Sequence, residues 1–308
     1  MIPIAEPLLD EEELKNITEV INSTWISSKG KFIDQFEKEF SSYCKAKYGI
    51  AVSNGTAAIH LALLALGVKP NDEVIVPTLT FVSVANAVVQ CNATPVFVDS
   101  ERLTWNMDAE DIERKITNKT KAIIVVHSYG HPANMKEIME VAQKHNLKVI
   151  EDCAEAHGAK AYGKIVGSFG DVACFSFFGN KIITTGEGGM CVTNNEELAL
   201  KVRHLANYAR SKEKIYWHTE LGFNHRMTNM QAAIGVAQMK KIDKIIEIKR
   251  RNALFYNKML QDLDKVEVNQ EQEWAEHVYW MYSILLKDNY KLKRDELMNK
   301  LSEDGIET

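Results

Sequence analysis

Apolar residues along this chain fall into short dense runs separated by longer amphipathic stretches. "GIAVS" (Gly49 to Ser53), "EVIVP" (Glu73 to Pro77), "PVFVD" (Pro95 to Asp99), "AIIVVH" (Ala122 to His127) and "KVIED" (Lys148 to Asp152) are continuous, β-branched and brief. Runs of that kind predict strands buried on both faces. Between them lie segments with helical spacing. "TAAIHLALLAL" (Thr56 to Leu66) is one, and "NMKEIMEVAQKH" (Asn134 to His145) is another, with apolar residues at Met135, Ile138, Met139 and Ala142. Strand–helix–strand alternation predicts an α/β fold whose sheet is mostly parallel, with helices on both faces. "VACFSF" (Val172 to Phe177) and "GMCVT" (Gly189 to Thr193) follow with little room for a helix between them, so an antiparallel strand in a mixed sheet is expected. Beyond Thr193 the strand signals thin out. A long helical region is expected from about Met230 to Leu263, and "HVYWMYSILL" (His277 to Leu286) predicts a strand in a second, smaller domain.

Composition narrows the class. The chain has 308 residues, 45% hydrophobic, which suffices for one large domain and a smaller one. Its net charge of -5, with no long basic stretch, argues against nucleic acid as a partner. The five cysteines, Cys44, Cys91, Cys153, Cys174 and Cys191, are scattered and form no C-x-x-C pair, as expected of free thiols in a reducing compartment. The start "MIPIAEPLLDEEE" has no signal-peptide pattern and no apolar run is long enough to span a bilayer, so a cytoplasmic location without membrane contact is expected.

In a parallel sheet, ligands gather at the carboxyl ends of strands, and polar residues stand at several of these ends. "SNGTAAIH" reads as strand, glycine turn and helix start, where free N–H groups and the helix dipole favour a phosphate. An ordinary Asn/Thr cap explains the same residues. Asp152 closes an apolar strand, either as a cap or as a fixed anion beneath a heteroaromatic cation. Lys181 lies in "SFFGNKIITTGEGG" (Ser176 to Gly189), among two phenylalanines and four glycines. A lysine there is either a solvated loop cation or a desolvated amine with a lowered pKa, suited to forming a Schiff base. Amine, anion and phosphate donors together match one cofactor, pyridoxal 5'-phosphate (PLP), with no metal required. His127 and His131 straddle a turn and are weak metal candidates. Cys153 with His157 is a weak nucleophile pair.

"SNGTAAIHLALLALGV", "EDCAEAHGA", "GSFGDVACFSFFGNKIITTGEGGM" and "LGFNHRMTNMQAAIGVAQM" resemble the DegT-type sugar-nucleotide aminotransferases, which have the aspartate aminotransferase fold. The resemblance runs from Pro3 to Gln238. It implies a large PLP-binding domain over residues 1–235 with a seven-stranded sheet, and a small C-terminal domain over 236–308, expected to be incomplete because family members continue past "GIET". It further implies that Lys181 bonds the cofactor and shuttles a proton, and that Asp152 pairs with the pyridinium nitrogen. Gly55, Thr56 and Ala57 with Ser176 would hold the phosphate. Phe81 would stack on the ring, and Glu155 would contact the ring oxygen or the sugar. Asn224 would reach the phosphate of a neighbouring subunit, so a homodimer with shared sites is implied. Within the family, "VHSYGHPANM" and the Glu155–His157 pair look most like the perosamine-forming branch. L-glutamate would then be the amino donor and GDP-4-keto-6-deoxy-D-mannose the acceptor, its hydroxyls oriented by Glu155 and His157.

Overall fold

The computed structural model describes residues 1–308. Helices α1 (Glu11–Ser23) and α2 (Lys31–Tyr43) precede the first strand. The central stretch then alternates β1 (Tyr48–Val52), α3 (Gly55–Ala65), β2 (Glu73–Pro77), α4 (Ser83–Gln90), β3 (Thr94–Val98), α5 (Ala109–Lys115), β4 (Thr120–Val126), α6 (Met135–Lys144) and β5 (Lys148–Asp152). Two-residue strands β6 (Lys160–Ala161) and β7 (Lys164–Ile165) follow, then β8 (Val172–Ser176), β9 (Gly189–Thr193) and α7 (Glu196–Ala206). The rest holds α8 (Asn229–Met239), α9 (Ile242–Leu260), β10 (Val266–Val268), β11 (Ala275–Glu276), β12 (Ile284–Leu286) and α10 (Arg294–Glu303).

Seven strands form one sheet in the order β1-β9-β8-β5-β4-β2-β3. Only β9 runs against its neighbours, β1 and β8, and every other pairing is parallel. The expected mixed, mostly parallel sheet is therefore present. Side chains alternate across it, as strand geometry requires. Ile50, Val52, Ile150, Cys174 and Cys191 enter the core under α3 and α7. Ala51, Ala173, Phe175 and Val192 enter the core under α2 and α8 on the opposite face. Val149, Ile123 and Val125 continue that second face towards α6. Burial of these clusters is the main stabilising term.

The helical region expected over Met230 to Leu263 is present as two helices, broken at Lys240–Lys241. At the break Lys241 Nζ lies 2.8 Å from both the Asp10 and the Glu13 carboxylates of the N-terminal segment. The strand expected over His277 to Leu286 survives only as β12. Tyr279 has φ +49°, a left-handed conformation that ends any ladder, and the backbone from His277 to Trp280 instead packs against the sheet's carboxyl edge.

Candidate active site

The carboxyl ends of β1, β5 and β8 and the start of α3 enclose a cavity of about 570 Å³. Asp152 and Ser176 face it because both sit on the α3 side of the sheet, two residues beyond Ile150 and Cys174 in their strands. Lys181 enters from the turn after β8, and Glu155 from the turn after β5. Gly55, Thr56, Ala57 and Phe81 also line this wall.

Helix α3 begins with Asn54, whose Oδ1 accepts the Ala57 N–H at 2.8 Å. That cap occupies the Ala57 donor, and the N–H groups of Gly55 and Thr56 have no acceptor in the chain. Gly55 is needed for close approach, since a Cβ there would fall 2.8 Å from the Ser176 Cβ. Helix start, Ser176 hydroxyl and two free N–H groups thus share one corner, which suits a phosphate.

Asp152 is 6% exposed, and its Oδ1 accepts the Ala154 N–H at 3.0 Å. No side chain donates to it. Burial pushes its carboxyl above the usual range, opposed by the Ala154 bond and the charge of Lys181. Glu155 accepts the Tyr129 N–H at 2.6 Å, and burial raises its pKa to about 7 against the pull of Lys181. Tyr129 donates from a left-handed backbone, φ +55°, so the turn is strained in making that bond. Buried Asn106 braces the turn, accepting the Ser128 N–H at 2.9 Å and donating to the His131 carbonyl at 3.2 Å. Burial lowers the Lys181 pKa, while Glu155 and Asp152 oppose the shift.

Pyridoxal phosphate makes three demands on the protein that holds it. An amine with a lowered pKa, a buried carboxylate with an undonated oxygen and a helix start with two unused N–H groups are what that cofactor requires of its holder. The residues fit it.

Other candidates lie elsewhere. His157 is a correction: it is 0% exposed and packs against Phe40, Phe175 and Phe177 rather than lining the cavity. Burial first, and the Lys181 charge second, push its pKa down to about 3. It cannot orient a sugar hydroxyl from there. Asn224 is exposed beside the cavity residue His225, and its Oδ1 accepts from Arg226 at 2.7 Å. His127 and His131 are no metal pair, because all four ring nitrogens are engaged. His127 accepts the Ala133 N–H and faces Glu151, while His131 faces the Pro132 carbonyl and accepts the Gln272 N–H. Burial holds the Cys153 thiol protonated, which rules it out as a nucleophile. Sequence reasoning missed Thr80, His60 and Trp280, all of which line the cavity. Thr80 directly precedes Phe81, and His60 lies one turn along α3 from Thr56; those spacings could have found both.

A mixed α/β sheet with this lysine, carboxylate and helix start defines a pyridoxal-phosphate-dependent aminotransferase. Residues 7–308 match the DegT/DnrJ/EryC1/StrS aminotransferase family, and the chain belongs to it. It is 51% identical over 307 residues to GDP-perosamine synthase of Escherichia coli O157:H7, covering 100% of this chain and 83% of that protein. It superimposes with a TM-score of 0.92 on an aminotransferase from Psychrobacter cryohalolentis, at 36% identity, covering 98% of this chain and 82% of the other. A GDP-4-keto-6-deoxymannose-3-dehydratase solved with bound GDP-perosamine gives a TM-score of 0.94 at 29% identity, covering 100% of this chain and 85% of the other. The same dehydratase has been solved with a trapped PLP-glutamate geminal diamine.

Proposed function

We propose that this chain transfers the amino group of L-glutamate to C4 of a 4-keto-6-deoxy nucleotide sugar, GDP-4-keto-6-deoxy-D-mannose, giving GDP-perosamine. The observation that carries the reading is the convergence of Lys181, Asp152, Glu155 and the α3 start on one cavity. Similarity to a GDP-perosamine synthase and to a dehydratase solved with bound GDP-perosamine supports the choice of sugar.

Pyridoxal phosphate, when bound, supplies an aldehyde and an electron sink. Lys181 would provide the amine that bonds to it, and burial shifts that amine towards its neutral, nucleophilic form. When free, Lys181 Nζ would carry a proton from Cα of glutamate to the cofactor, and in the second half-reaction from the cofactor to C4 of the sugar. Asp152 would face the ring nitrogen and hold its proton in place. Gly55 and Thr56 would donate backbone N–H groups to the phosphate with the Ser176 hydroxyl, Ala57 lying beside them at the helix start. Phe81 would stack on the ring. Glu155, its pKa raised by burial to about 7, would reach the ring oxygen or a sugar hydroxyl.

The same proposal includes a two-fold dimer in which Asn224 reaches the phosphate held by the neighbouring subunit, and a division of the chain near residue 235 into cofactor-binding and smaller parts. Mixing Lys181→Ala with Asn224→Ala protein should restore activity above either parent through hybrid dimers. A monomer at working concentration would refute the shared site.

The central test offers GDP- and UDP-linked 4-keto sugars with L-glutamate and detects aminated product by mass spectrometry. The GDP sugar should be aminated, and Lys181→Ala should lower turnover by about 10⁴-fold or more. Amination of the UDP sugar alone would discard the acceptor, and undiminished turnover by Lys181→Ala would discard the mechanism.

A further inference from the structure

Lys181 is the one lysine or arginine lining the cavity. Its Nζ makes no ion pair, yet it sits 3.8 Å from the centroid of the Trp280 ring. A cation over an indole face at that distance gains a cation–π attraction.

Trp280 is anchored through its ring and through its backbone. Its Nε1–H donates to the Asn180 carbonyl at 2.8 Å, on the residue just before Lys181. Its own carbonyl accepts from Lys249 Nζ at 3.1 Å. Its backbone nitrogen crowds Gly130, where a Cβ would come within 2.8 Å, and the Val278 N–H next door donates to the Gly130 carbonyl at 3.0 Å. Asn180 therefore fixes the edge of the ring while the next residue lays its amine on the face.

We propose that Trp280 is a positioning residue for Lys181, its indole face being the resting place of the amino group whenever that group is not bonded to the cofactor. The inference rests on the aminotransferase reading above. In each half-reaction the lysine is released and must stay within reach. A carboxylate would hold it too, but Asp152 is needed at the ring nitrogen and Glu155 at the oxygen side. A π-face attracts the ammonium without offering a lone pair, so it neither accepts the proton nor diverts either acid. Its attraction favours the charged amine and offsets part of the depression that burial imposes.

The test places tryptophans of increasing fluorination at position 280 by stop-codon suppression, which weakens the π-face while keeping its shape and its N–H. Trp280→Leu serves as the extreme. The holoenzyme is converted to its aminated form with L-glutamate. Lys181 is then labelled with acetic anhydride across a range of pH, and the labelled peptide is quantified by mass spectrometry. The labelling midpoint should move to lower pH stepwise with fluorination, reaching about 0.4 to 1.5 pH units in Trp280→Leu. kcat should fall along the same series with KM for L-glutamate little changed. A midpoint that does not move across the fluorinated series would overturn the inference while leaving the aminotransferase reading intact. A wild-type protein with no visible cofactor band for L-glutamate to bleach would overturn both.

Discussion

Glu151 and Asp152 are consecutive acids at the tip of one strand, and they face opposite sides of the sheet. Glu151 is 0% exposed and saturated with donors. Its oxygens accept the N–H groups of Gly167, Phe169 and Gly170 at 2.8, 2.7 and 2.7 Å, and His127 Nε2 lies 3.3 Å away. Burial raises its pKa, but those bonds win and the carboxyl is held below the usual range. Asp152 is nearly as buried, accepts one N–H, and is pushed the other way. The difference separates two uses of a buried carboxylate. Donors supplied by the chain make Glu151 a fastener for the loop before β8. Donors withheld leave Asp152 to be completed by a ligand.

The contrast is sharpened by mutation. Asp152→Asn should reduce turnover by about 10²- to 10⁴-fold while the melting temperature stays level or rises, since an undercompensated buried charge is removed. A melting temperature that falls instead would make Asp152 a second fastener. Glu151→Ala should do the reverse. It strands three backbone donors and should cost about 3–5 kcal/mol of stability, read from urea unfolding. A stable Glu151→Ala protein with lost activity would break the comparison outright.

Glu155 stands between these cases, with one donor and a cavity opening. Its folded pKa of about 7 exceeds the ordinary value of 4.5, so the folded state binds the proton more tightly. Its neutral form is tolerated below about pH 4.5, and the native state loses stability as pH climbs from there to about 7. Glu155→Gln should remove that slope. Its stability advantage should grow to about 3 kcal/mol at most by pH 7, less where the cavity admits solvent. Parallel stability curves for the two proteins across this range would show the acid ionises normally.

The sheet was legible because its strands are buried on both faces, and residues such as Val149 and Ile150 must then be apolar without alternation. Asp152 was legible because it closes an apolar strand at its carboxyl end, and Lys181 because it lies among phenylalanines and glycines. His157 misled because nearness to Asp152 in sequence says nothing of direction. The turn after β5 sends Glu155 into the cavity and folds His157 back beneath Phe40 and Phe175. Trp280 was unreadable for the opposite reason. It reaches Lys181 only through a left-handed break at Tyr279 and anchors on Gly130 and Lys249, none of which leaves a periodic trace.

The antiparallel strand β9 has a consequence for how the protein comes into being. Gly189, its first residue, lies against the backbone of Asn54, so close that a Cβ would sit 2.4 Å from the Asn54 carbonyl. The residue that caps α3 is thus backed by a strand synthesised long after it. Chains emerge from the ribosome N-terminus first, and contacts between distant segments form slowly. A nascent chain holding α3 alone has the donors for a phosphate but not the wall behind them. Capture of the cofactor is therefore a late event in the life of the polypeptide, after Thr193 has been made and the edge strand β1 has found its partner.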